Sequence, residues 1–544
     1  MDIYNIMNLS FVGQDVYTDL EFFNSFTNDY SQSIIYTIEK YTDNKACLQH
    51  IIQKLKQPTY NTHILKSRQT DLSRIIDIYE NNKDNVNILT KTIKNCEDDV
   101  QWLFNQTNDE IIDILDIVYF KLYIFDKLNF NTNSYFLTLT NIYTIIGAPL
   151  LGVISPMLYF IIPYVVLVYK LKFKIPIKVF VKTIIQAFMK SSTIKNLVVF
   201  QLLTYGLSFF LYCQSLLNTY DLAKNTYKVA THIIQKVNNV LEYVEACEEL
   251  NHLFKFSSKD NASLLNNIFD CRNNNINFGK KLVFFKQLNL EELRSYLHDS
   301  DSFLGNLAIA RLQLSYNMCF TDYIEIKNTY IEARDMYHLS IENYVPNDII
   351  LNEQNVIITG PNAAGKSTFI KGLILNVILS QTYGIACASS FKLTPFYFIN
   401  TQINIPDVKG KQSLFEAEMF RCKSNLDIIT QLPDDKKALI VMDEVFSSTN
   451  VVEGVAGAYG ILEKMSTYPN VCTIVTTHFL YLTKLKSFKK YKMNVEFEDE
   501  DTIKYPYRLD TGISKQLVAI ELIKNNFDDD VINTALTIKN KLLV

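Results

Sequence analysis

A glycine-rich stretch, "IITGPNAAGKSTFI", constrains the fold of this chain more than any other feature, and it runs from Ile357 to Ile370. Its central part matches the pattern G-x-x-x-x-G-K-[ST]. The apolar run "NVIIT" before it predicts a strand, and the residues from Lys366 onward predict a helix. A strand, a glycine-rich turn and a helix in this order are typical of a loop that binds the phosphates of a nucleotide.

The residue types in this loop predict contacts with ATP and Mg²⁺. The glycines allow backbone N–H groups to turn toward phosphate oxygens, and the N-terminus of the helix adds its positive end. Lys366 is expected to reach the β- and γ-phosphates, and Ser367 to ligate Mg²⁺. The predicted nucleotide-binding residues of the loop are Gly360, Pro361, Asn362, Gly365, Lys366, Ser367 and Thr368.

A second segment, "ALIVMDE", supplies two carboxylates at the end of a predicted buried strand. Asp443 is expected to hold Mg²⁺, directly or through water, and Glu444 to act as general base for the attacking water. The alternative is an acidic pair that binds metal without turnover. His478 ends the strand "VCTIVTTH" and is expected to sense the γ-phosphate, the alternative being a structural histidine. Together with Lys366, these residues predict an ATPase, which converts ATP and water to ADP and phosphate.

The pattern of apolar and polar residues divides the chain into four regions. Residues 1–140 read as helical, residues 141–220 are hydrophobic, residues 221–323 form a helical, lever-like region, and residues 324–544 alternate short β-like runs with helices. In the last region "NVIIT", "FYFINTQI", "ALIVM" and "VCTIVTT" predict a mostly parallel sheet. The predicted fold class is therefore α plus α/β, with helical regions followed by a P-loop NTPase domain of the ABC-like kind.

The hydrophobic region contains two uncharged runs, Ile142–Tyr169 and Asn196–Tyr220. As a helix, each run is long enough for a hydrocarbon core of roughly 30 Å. Prolines at 149, 156 and 163 would allow the first run to bend. The alternative is a helical hairpin buried in a soluble core.

The connector between the two runs carries seven lysines from Lys170 to Lys195 and no acid. Lys178, Lys182, Gln186 and Lys190 follow a four-residue step, which predicts one polar stripe on a helix at a membrane surface. Two full spans would place these lysines on the side away from cytosolic ATP, against the positive-inside tendency. Interfacial or re-entrant insertion removes that conflict.

Composition adds limits on compartment and partners. The formal net charge is −4, so contact with nucleic acid would depend on local basic patches. Nine cysteines without a C-x-x-C pair predict reduced thiols in a cytoplasmic or nuclear compartment, and membrane association is the alternative location. The N-terminus lacks the basic head and apolar run of a signal peptide.

The motifs "TGPNAAGKST", "LIVMDE", "FSSTNVVEG" and "TTHF", in this order and spacing, resemble the ATPase domain of the MutS family. "QSLFEAEM" is similar to the family's S-x-F-x-x-E-M helix, with Ser413 and Glu418 in the matching places. "YRLDTGISKQLVAIEL" is similar to its Y-x-L-x-x-G-x-S closing segment. The resemblance covers about residues 331–535, whereas no L-S-G-G-Q segment typical of ABC transporters precedes "ALIVMDE".

The resemblance implies several further residues and partners. In "YVPNDIIL", Tyr344 would stack on adenine, and Thr449 and Asn450 would reach the nucleotide of a second subunit. It also implies a homodimer or heterodimer with composite ATP sites, and DNA as the partner. Phe446 and Ser448 depart from the family pattern because they stand where glycines are usual.

A second departure is the sequence Ala333-Arg334-Asp335-Met336, which stands where G-R-H-P is common. The mismatch-reading Phe-x-Glu motif of repair members is not found, and the chain resembles shorter members with predicted membrane segments. Three possible functions follow from these patterns. The first is a dimeric DNA clamp in mismatch repair, recombination or genome maintenance. The alternative is a membrane-associated mechanochemical ATPase that acts on a membrane or protein partner. The third is a nucleotide-gated scaffold with weak turnover.

Overall fold

The computed structural model describes residues 9–27, 29–105, 116–120, 127–190, 195–256, 278–403, 414–497, 503–516, 520 and 528–542. The chain forms two compact units, the first made of residues 1–86 and 300–544 and the second of residues 87–299. The predicted boundaries at residues 140, 220 and 323 do not coincide with this division, because the N-terminal segment packs with the C-terminal region.

The first unit is built on a seven-stranded sheet with the order β1-β8-β9-β10-β5-β11-β14. All neighbours in it are parallel except β11 and β14. Its strands are β1 (Phe11–Val12), β5 (Asn355–Thr359), β8 (Phe398–Gln402), β9 (Ala438–Asp443), β10 (Val471–Thr477), β11 (Phe488–Met493) and β14 (Leu509–Thr511). The four runs predicted as strands are β5, β8, β9 and β10. Their continuous apolar sequences suit strands that are buried on both faces.

A five-stranded sheet with the order β4-β3-β7-β2-β6 also belongs to this unit. Its strands are β2 (Cys319–Tyr323), β3 (Tyr330–Met336), β4 (Asn347–Asn352), β6 (Ile385–Ala386) and β7 (Ser390–Leu393). A separate antiparallel pair joins β12 (Glu496–Phe497) and β13 (Ile503–Lys504).

The first unit contains one long buried helix, which begins at Lys366 as the sequence predicts. Residues 369, 370 and 372–383 of this helix are all buried, so it is a core helix rather than an amphipathic one. In chain order the helices that lie within the unit are α1 (Val16–Asp19), α2 (Ile34–Glu39), α3 (Lys45–Leu55), α4 (Thr62–Asn81), α12 (Lys366–Tyr383), α13 (Leu414–Thr430), α14 (Val451–Met465) and α15 (Asp529–Leu542).

Residues near the N-terminus form the edge of the seven-stranded sheet. Strand β1 pairs in parallel with β8, with Phe11 opposite Phe398. Gln381 on α12 is fully buried, and its amide donates to Ser10 Oγ at 2.7 Å and to the Thr59 carbonyl at 3.3 Å. The described residues from Leu9 to Val86 therefore belong to the same compact unit as the C-terminal region.

The second unit is helical throughout its described part. Helix α9 has 60 residues, so it is about 90 Å long at 1.5 Å per residue. The helices that lie within the unit are α6 (Ser134–Ile142), α7 (Ala148–Val165), α8 (Ile177–Lys190), α9 (Lys195–Phe254) and α10 (Phe278–Gln287). Two further helices, α5 (Lys83–Asn105) and α11 (Leu290–Tyr316), contribute residues 87–105 and 290–299. Much of the predicted break "CRNNNINFGKK" lies outside the described residues.

The prolines of the first uncharged run do not break its helix. Pro149 lies in the first turn of α7, whereas Pro156 and Pro163 lie inside it. One π-helical segment precedes α7 at residues 143–147 and another follows it at residues 166–170, so helical structure is continuous from residue 134 to residue 170. Because the ring of a proline removes one N–H from the helix, local π turns are a common way to absorb the mismatch.

The hydrophobic helices keep their apolar side chains on the surface of the unit. Leu150, Val153 and Met157 on α7 are each about half exposed or more, as are Leu207 and Phe210 on α9. The alternative prediction of a hairpin buried in a soluble core is therefore wrong. By length and composition, one helical segment among the described residues, Ser134–Leu158, is able to cross a membrane, and its mean hydropathy is 1.7.

Candidate functional site

The glycine-rich loop connects β5 to α12 with a backbone that needs glycine at both ends. Gly365 has φ 95°, in the left-handed region that favours glycine. A Cβ at Gly360 would lie 2.3 Å from the carbonyl oxygen of Met493, and one at Gly365 would lie 3.0 Å from the ring of Tyr507. The spacing of the two glycines is thus fixed by backbone conformation and by close packing.

Lys366 is the first residue of α12, and its side chain is almost completely buried. Its Nζ donates to the carbonyl oxygen of Pro361 at 3.0 Å and lies 3.6 Å from Oε1 of Glu444. A buried ammonium group needs such partners because its desolvation is costly. The arrangement therefore holds a positive charge at the start of the helix, beneath the loop.

The two carboxylates lie where β9 ends. Asp443 accepts a hydrogen bond from the hydroxyl of Thr476 on the neighbouring strand β10. Glu444 follows with φ 49°, and its backbone N–H donates to the Thr476 carbonyl at 3.0 Å. The pair is thus anchored to β10, which aims the two side chains in different directions from one strand end.

His478 lies just past the end of β10, with Nδ1 3.5 Å from Oε1 of Glu444. The hydrogen bond from His478 lowers the pKa of Glu444, and the positive charge of Lys366 adds to this effect, although burial opposes it. Glu444 is therefore ionised at neutral pH and is shared between a lysine and a histidine.

A cavity of about 630 Å³ opens above these groups. It brings together most of the residues that the sequence predicts for the site. Those in its lining are Tyr344, Asn362, Gly365, Lys366, Ser367, Thr368, Asp443 and Glu444. Ser367 and Asp443, the predicted Mg²⁺ ligands, both face this cavity. Across the described ranges no cluster of three or more His, Cys, Asp or Glu side chains suits a metal ion, so such an ion here would rely on water and phosphate oxygens as well.

An aromatic wall closes one side of the cavity. Tyr344 is 40% exposed, and its ring stacks on that of Tyr337 with centroids 4.2 Å apart and planes at 17°. His338 lies beside this pair, and its Nδ1 is 3.1 Å from Ser340 Oγ. Burial lowers the pKa of His338 to about 4, and Lys371 adds to the shift. The wall is therefore flat, apolar and uncharged at neutral pH, which suits a nucleobase.

The cavity lining also includes residues that are absent from the sequence-based set, among them Tyr337, His338, Asn347, Met493 and Tyr507. Asn347 donates to the Tyr507 carbonyl at 3.0 Å and accepts from the Leu509 N–H at 2.7 Å, which fixes Tyr507 against the loop. Tyr507 begins the closing segment "YRLDTGIS", so a sequence signal existed for it. Asn347 likewise lies in the segment "YVPNDIIL", whereas Tyr337, His338 and Met493 reach the cavity through contacts that no local pattern indicates.

Thr449 and Asn450, which were predicted to act on the nucleotide of a second subunit, lie outside the lining of this cavity. Asn450 caps α14, because its side chain accepts a hydrogen bond from the Val452 N–H at 3.0 Å. The structure contains one chain, so the role of both residues across a dimer remains a prediction.

Phe446 occupies the loop after β9 with φ 59°, a backbone conformation that glycine adopts more readily. Its side chain is buried and packs against Phe415, with ring centroids 5.3 Å apart. Glu418 on α13 accepts hydrogen bonds from the Phe446 backbone and the Ser448 side chain, and burial raises its pKa. The departure from glycine is thus accommodated by packing. Ser413 lies outside the described residues.

Comparison with known proteins places these features in a family. The family model described as MutS domain V matches residues 356–543. The DNA mismatch repair protein MSH3 of Vanderwaltozyma polyspora is 32% identical over 252 residues, which are 44% of this chain and 23% of that protein. The DNA mismatch repair protein MutS of Persephonella marina is 32% identical over 205 residues, or 36% of this chain and 23% of that protein.

A third relative is the DNA mismatch repair protein MutS of Aquifex pyrophilus, which is 35% identical over 190 residues, or 34% of this chain and 22% of that protein. The matched part of the chain spans less than a quarter of the length of each of these three relatives. The matched domain contains the glycine-rich loop, both carboxylates and His478. The resemblance inferred from the motifs is confirmed over this region: residues 356–543 of the chain match domain V of the MutS family.

Proposed function

We propose that this chain binds and hydrolyses ATP with Mg²⁺, and that it works as a dimeric clamp on DNA in mismatch repair, recombination or genome maintenance. One observation carries the ATPase part of the proposal. Lys366 at the start of α12 lines a single cavity together with Asp443 and Glu444 at the end of β9, although the two elements are far apart in sequence.

The residues of the cavity fit ATP at each of its parts. Glycine at 360 and 365 permits the loop conformation whose backbone N–H groups would face phosphates, because a Cβ there would crowd Met493 or Tyr507. The exposed face of Tyr344 offers a surface for adenine. Ser367 and Asp443 supply the hard oxygen ligands that Mg²⁺ prefers, and the metal would neutralise charge that develops on the phosphates.

The interactions of Lys366 suggest how ATP binding would activate Glu444. Phosphate oxygens are stronger acceptors than the carbonyl of Pro361, so bound ATP would draw the Lys366 ammonium toward itself. Glu444 would then keep His478 as its partner and gain freedom to orient a water molecule. His478 would at the same time report the presence of the γ-phosphate through its contact with Glu444.

Dimerisation is proposed from the same family relationship. Composite ATP sites would place Thr449 and Asn450 of one protomer near the nucleotide of its partner, at the start of α14. The hydrogen bonds of Glu418 to the preceding loop connect α13 to this surface. We expect ATP to strengthen self-association, which sedimentation velocity with and without nucleotide measures directly.

The DNA partner is proposed because the relatives of domain V are DNA mismatch repair proteins. Those relatives are more than four times the length of the region that they share with this chain. A second candidate function is favoured by the exposed apolar side chains of α7 and α9. It is a membrane-associated ATPase that acts on a membrane or protein partner rather than on DNA.

One experiment separates the two candidates. ATP turnover by the full-length protein is measured alone, with homoduplex, mismatched or branched DNA, and with lipid vesicles, at a fixed salt concentration because DNA binding depends strongly on salt. The Lys366→Ala variant serves as control for contaminating ATPases. Stimulation by one form of DNA supports the clamp, whereas stimulation by vesicles alone would replace it with the membrane candidate.

A further inference from the structure

The helices of the second unit present an apolar surface at one end of a hairpin, called here the apolar tip and defined as residues 142–185 and 203–222. Its outward side chains are large and aliphatic or aromatic, and at least 40% of each is exposed. They include Ile146, Leu150, Val153, Met157, Ile161, Val165, Val179, Ile185, Leu207, Phe210 and Leu217. A surface of this extent is far larger than the apolar patches that soluble monomers tolerate.

Internal contacts show that the tip is a folded element in which two tyrosine hydroxyls point inward. The hydroxyl of Tyr212 on α9 donates to the Gly152 carbonyl on α7 at 3.0 Å. The hydroxyl of Tyr164 donates to the Ile175 carbonyl at 3.1 Å, and its ring lies 5.1 Å from that of Phe180. Two tyrosine hydroxyls are thus satisfied within the tip, whereas large apolar side chains of α7, α8 and α9 lie outside. This is the reverse of the pattern in a water-soluble bundle.

The burial of apolar side chains on α9 changes along the length of the helix. From Ala230 to Leu250, α9 buries a regular apolar face that includes Ile233, Val237 and Val244. From Leu203 to Leu222 its apolar side chains are exposed instead. One continuous helix therefore passes from an ordinary helical bundle to an end whose large apolar side chains are mostly exposed.

The excess of positive charge in this region limits which partner can cover the apolar tip. No Asp or Glu occurs anywhere between Lys127 and Tyr220, whereas eight lysines do. Lys178, Lys182 and Gln186 lie exposed on α8 as the predicted stripe requires; the side chain of Lys190 lies outside those described. A second copy of the tip would bring like charges together, and a soluble partner would need both an acidic surface and a long apolar groove. An anionic bilayer supplies both properties at once.

We propose that the apolar tip inserts into lipid bilayers that contain anionic lipids, with the lysines of residues 170–182 at the headgroups. The inference deepens the membrane candidate above and rests on it, but lipid binding itself requires neither ATP nor DNA. It would equally anchor a DNA-acting ATPase at a membrane surface.

The test is flotation of the full-length protein with vesicles of phosphatidylcholine alone or of phosphatidylcholine mixed with phosphatidylserine, without nucleotide. We expect the protein to float with both and more tightly with the mixture. Lys178→Gln with Lys182→Gln should weaken binding to the mixed vesicles roughly 30-fold, since each lysine near an anionic surface contributes about 1 kcal/mol. Lys91→Gln with Lys94→Gln, two exposed lysines on α5, is the matched control and should leave binding unchanged.

A second variant tests the apolar contribution. Val153→Asp with Leu207→Asp should abolish flotation with both vesicle types while circular dichroism stays helical, because a folded tip with charged faces cannot enter hydrocarbon. A wild-type protein that stays in the aqueous fraction with both vesicle types would overturn the proposal. An oligomer without lipid that the aspartate variant dissociates would also overturn it, in favour of a second copy. Loss of flotation with normal ATP turnover affects this inference alone, whereas loss of turnover with normal flotation affects only the proposed ATPase.

Discussion

The ammonium nitrogen of Lys366 lies 3.6 Å from Oε1 of Glu444, so the first residue of α12 meets the residue that follows β9 beneath the glycine-rich loop. His478 contacts the same carboxylate oxygen from β10 at 3.5 Å. The ends of two parallel strands, β9 and β10, and the start of one helix therefore meet at a single oxygen atom. The proposed ATPase chemistry depends on these contacts of the Glu444 carboxylate.

Lys366→Ala should weaken ATP binding roughly 100-fold, because a charge-assisted contact to phosphate is lost from a buried position. Equilibrium binding of a fluorescent ATP analogue measures the change. Lys371→Ala is the matched control, since Lys371 lies on the same helix outside the cavity lining and is 3.9 Å from Glu21. Unchanged affinity in the Lys366 variant would contradict the assignment of the phosphate loop.

Asp19→Ala should destabilise the first unit by about 3 kcal/mol. Asp19 is fully buried and accepts from Thr401 Oγ1 at 2.7 Å and from the Ile403 N–H at 3.1 Å, and Arg421 lies 3.4 Å from it. Its removal leaves buried donors without an acceptor. Urea unfolding followed by circular dichroism measures the loss, with Asp15→Ala, which is more exposed, as control. A change under 0.5 kcal/mol, roughly the effect of an ordinary surface substitution, would contradict the packing of the N-terminal segment.

Phe446→Gly and Phe446→Ala separate packing from backbone strain. Both remove a buried ring, which costs about 3–5 kcal/mol. Because φ at this position is 59°, glycine should retain about 1 kcal/mol more stability than alanine. Thermal unfolding of the two variants side by side measures the difference. An alanine variant at least as stable as the glycine variant would show that the left-handed backbone is not maintained.

His338 should make stability depend on pH in a defined direction. Its pKa in the folded protein is about 4, below its usual value near 6.5, so the unfolded chain binds a proton first as pH falls. Its stabilising contribution is present above pH 6.5 and is lost between pH 6.5 and pH 4. The wild type should lose about 2 kcal/mol between pH 7 and pH 5 relative to His338→Gln. Parallel unfolding curves at the two pH values test this, and equal losses in both proteins would contradict a buried neutral imidazole.

The turn formed by the glycine-rich loop and the position of the two carboxylates at a strand end could be predicted from sequence because their signals are local. The spacing of Gly360, Gly365 and Lys366 is contained in one turn, and Asp443 directly follows a run of apolar residues. The strands β5, β9 and β10 are nearly uniform in apolar character, which short windows of sequence detect.

The parts that escaped prediction depend on contacts between distant residues. Tyr507 reaches the loop through Asn347, and β1 joins the sheet by pairing Phe11 with Phe398. Neither contact has a periodic signal, because each depends on which surfaces meet after folding. The exposure of the hydrophobic helices likewise depends on what packs against them, so composition alone left a buried hairpin as an alternative.

The central claim is that Glu444 completes an ATP-hydrolysing site, and single-turnover hydrolysis by full-length wild type and Glu444→Gln tests it most directly. Glu463→Gln, an exposed position on α14, is the control. The account predicts that Glu444→Gln binds ATP as the wild type does but hydrolyses it roughly 100- to 10,000-fold more slowly, the usual contribution of a general base. Hydrolysis at the wild-type rate by Glu444→Gln would contradict the role of this carboxylate and, with it, the proposed mechanism.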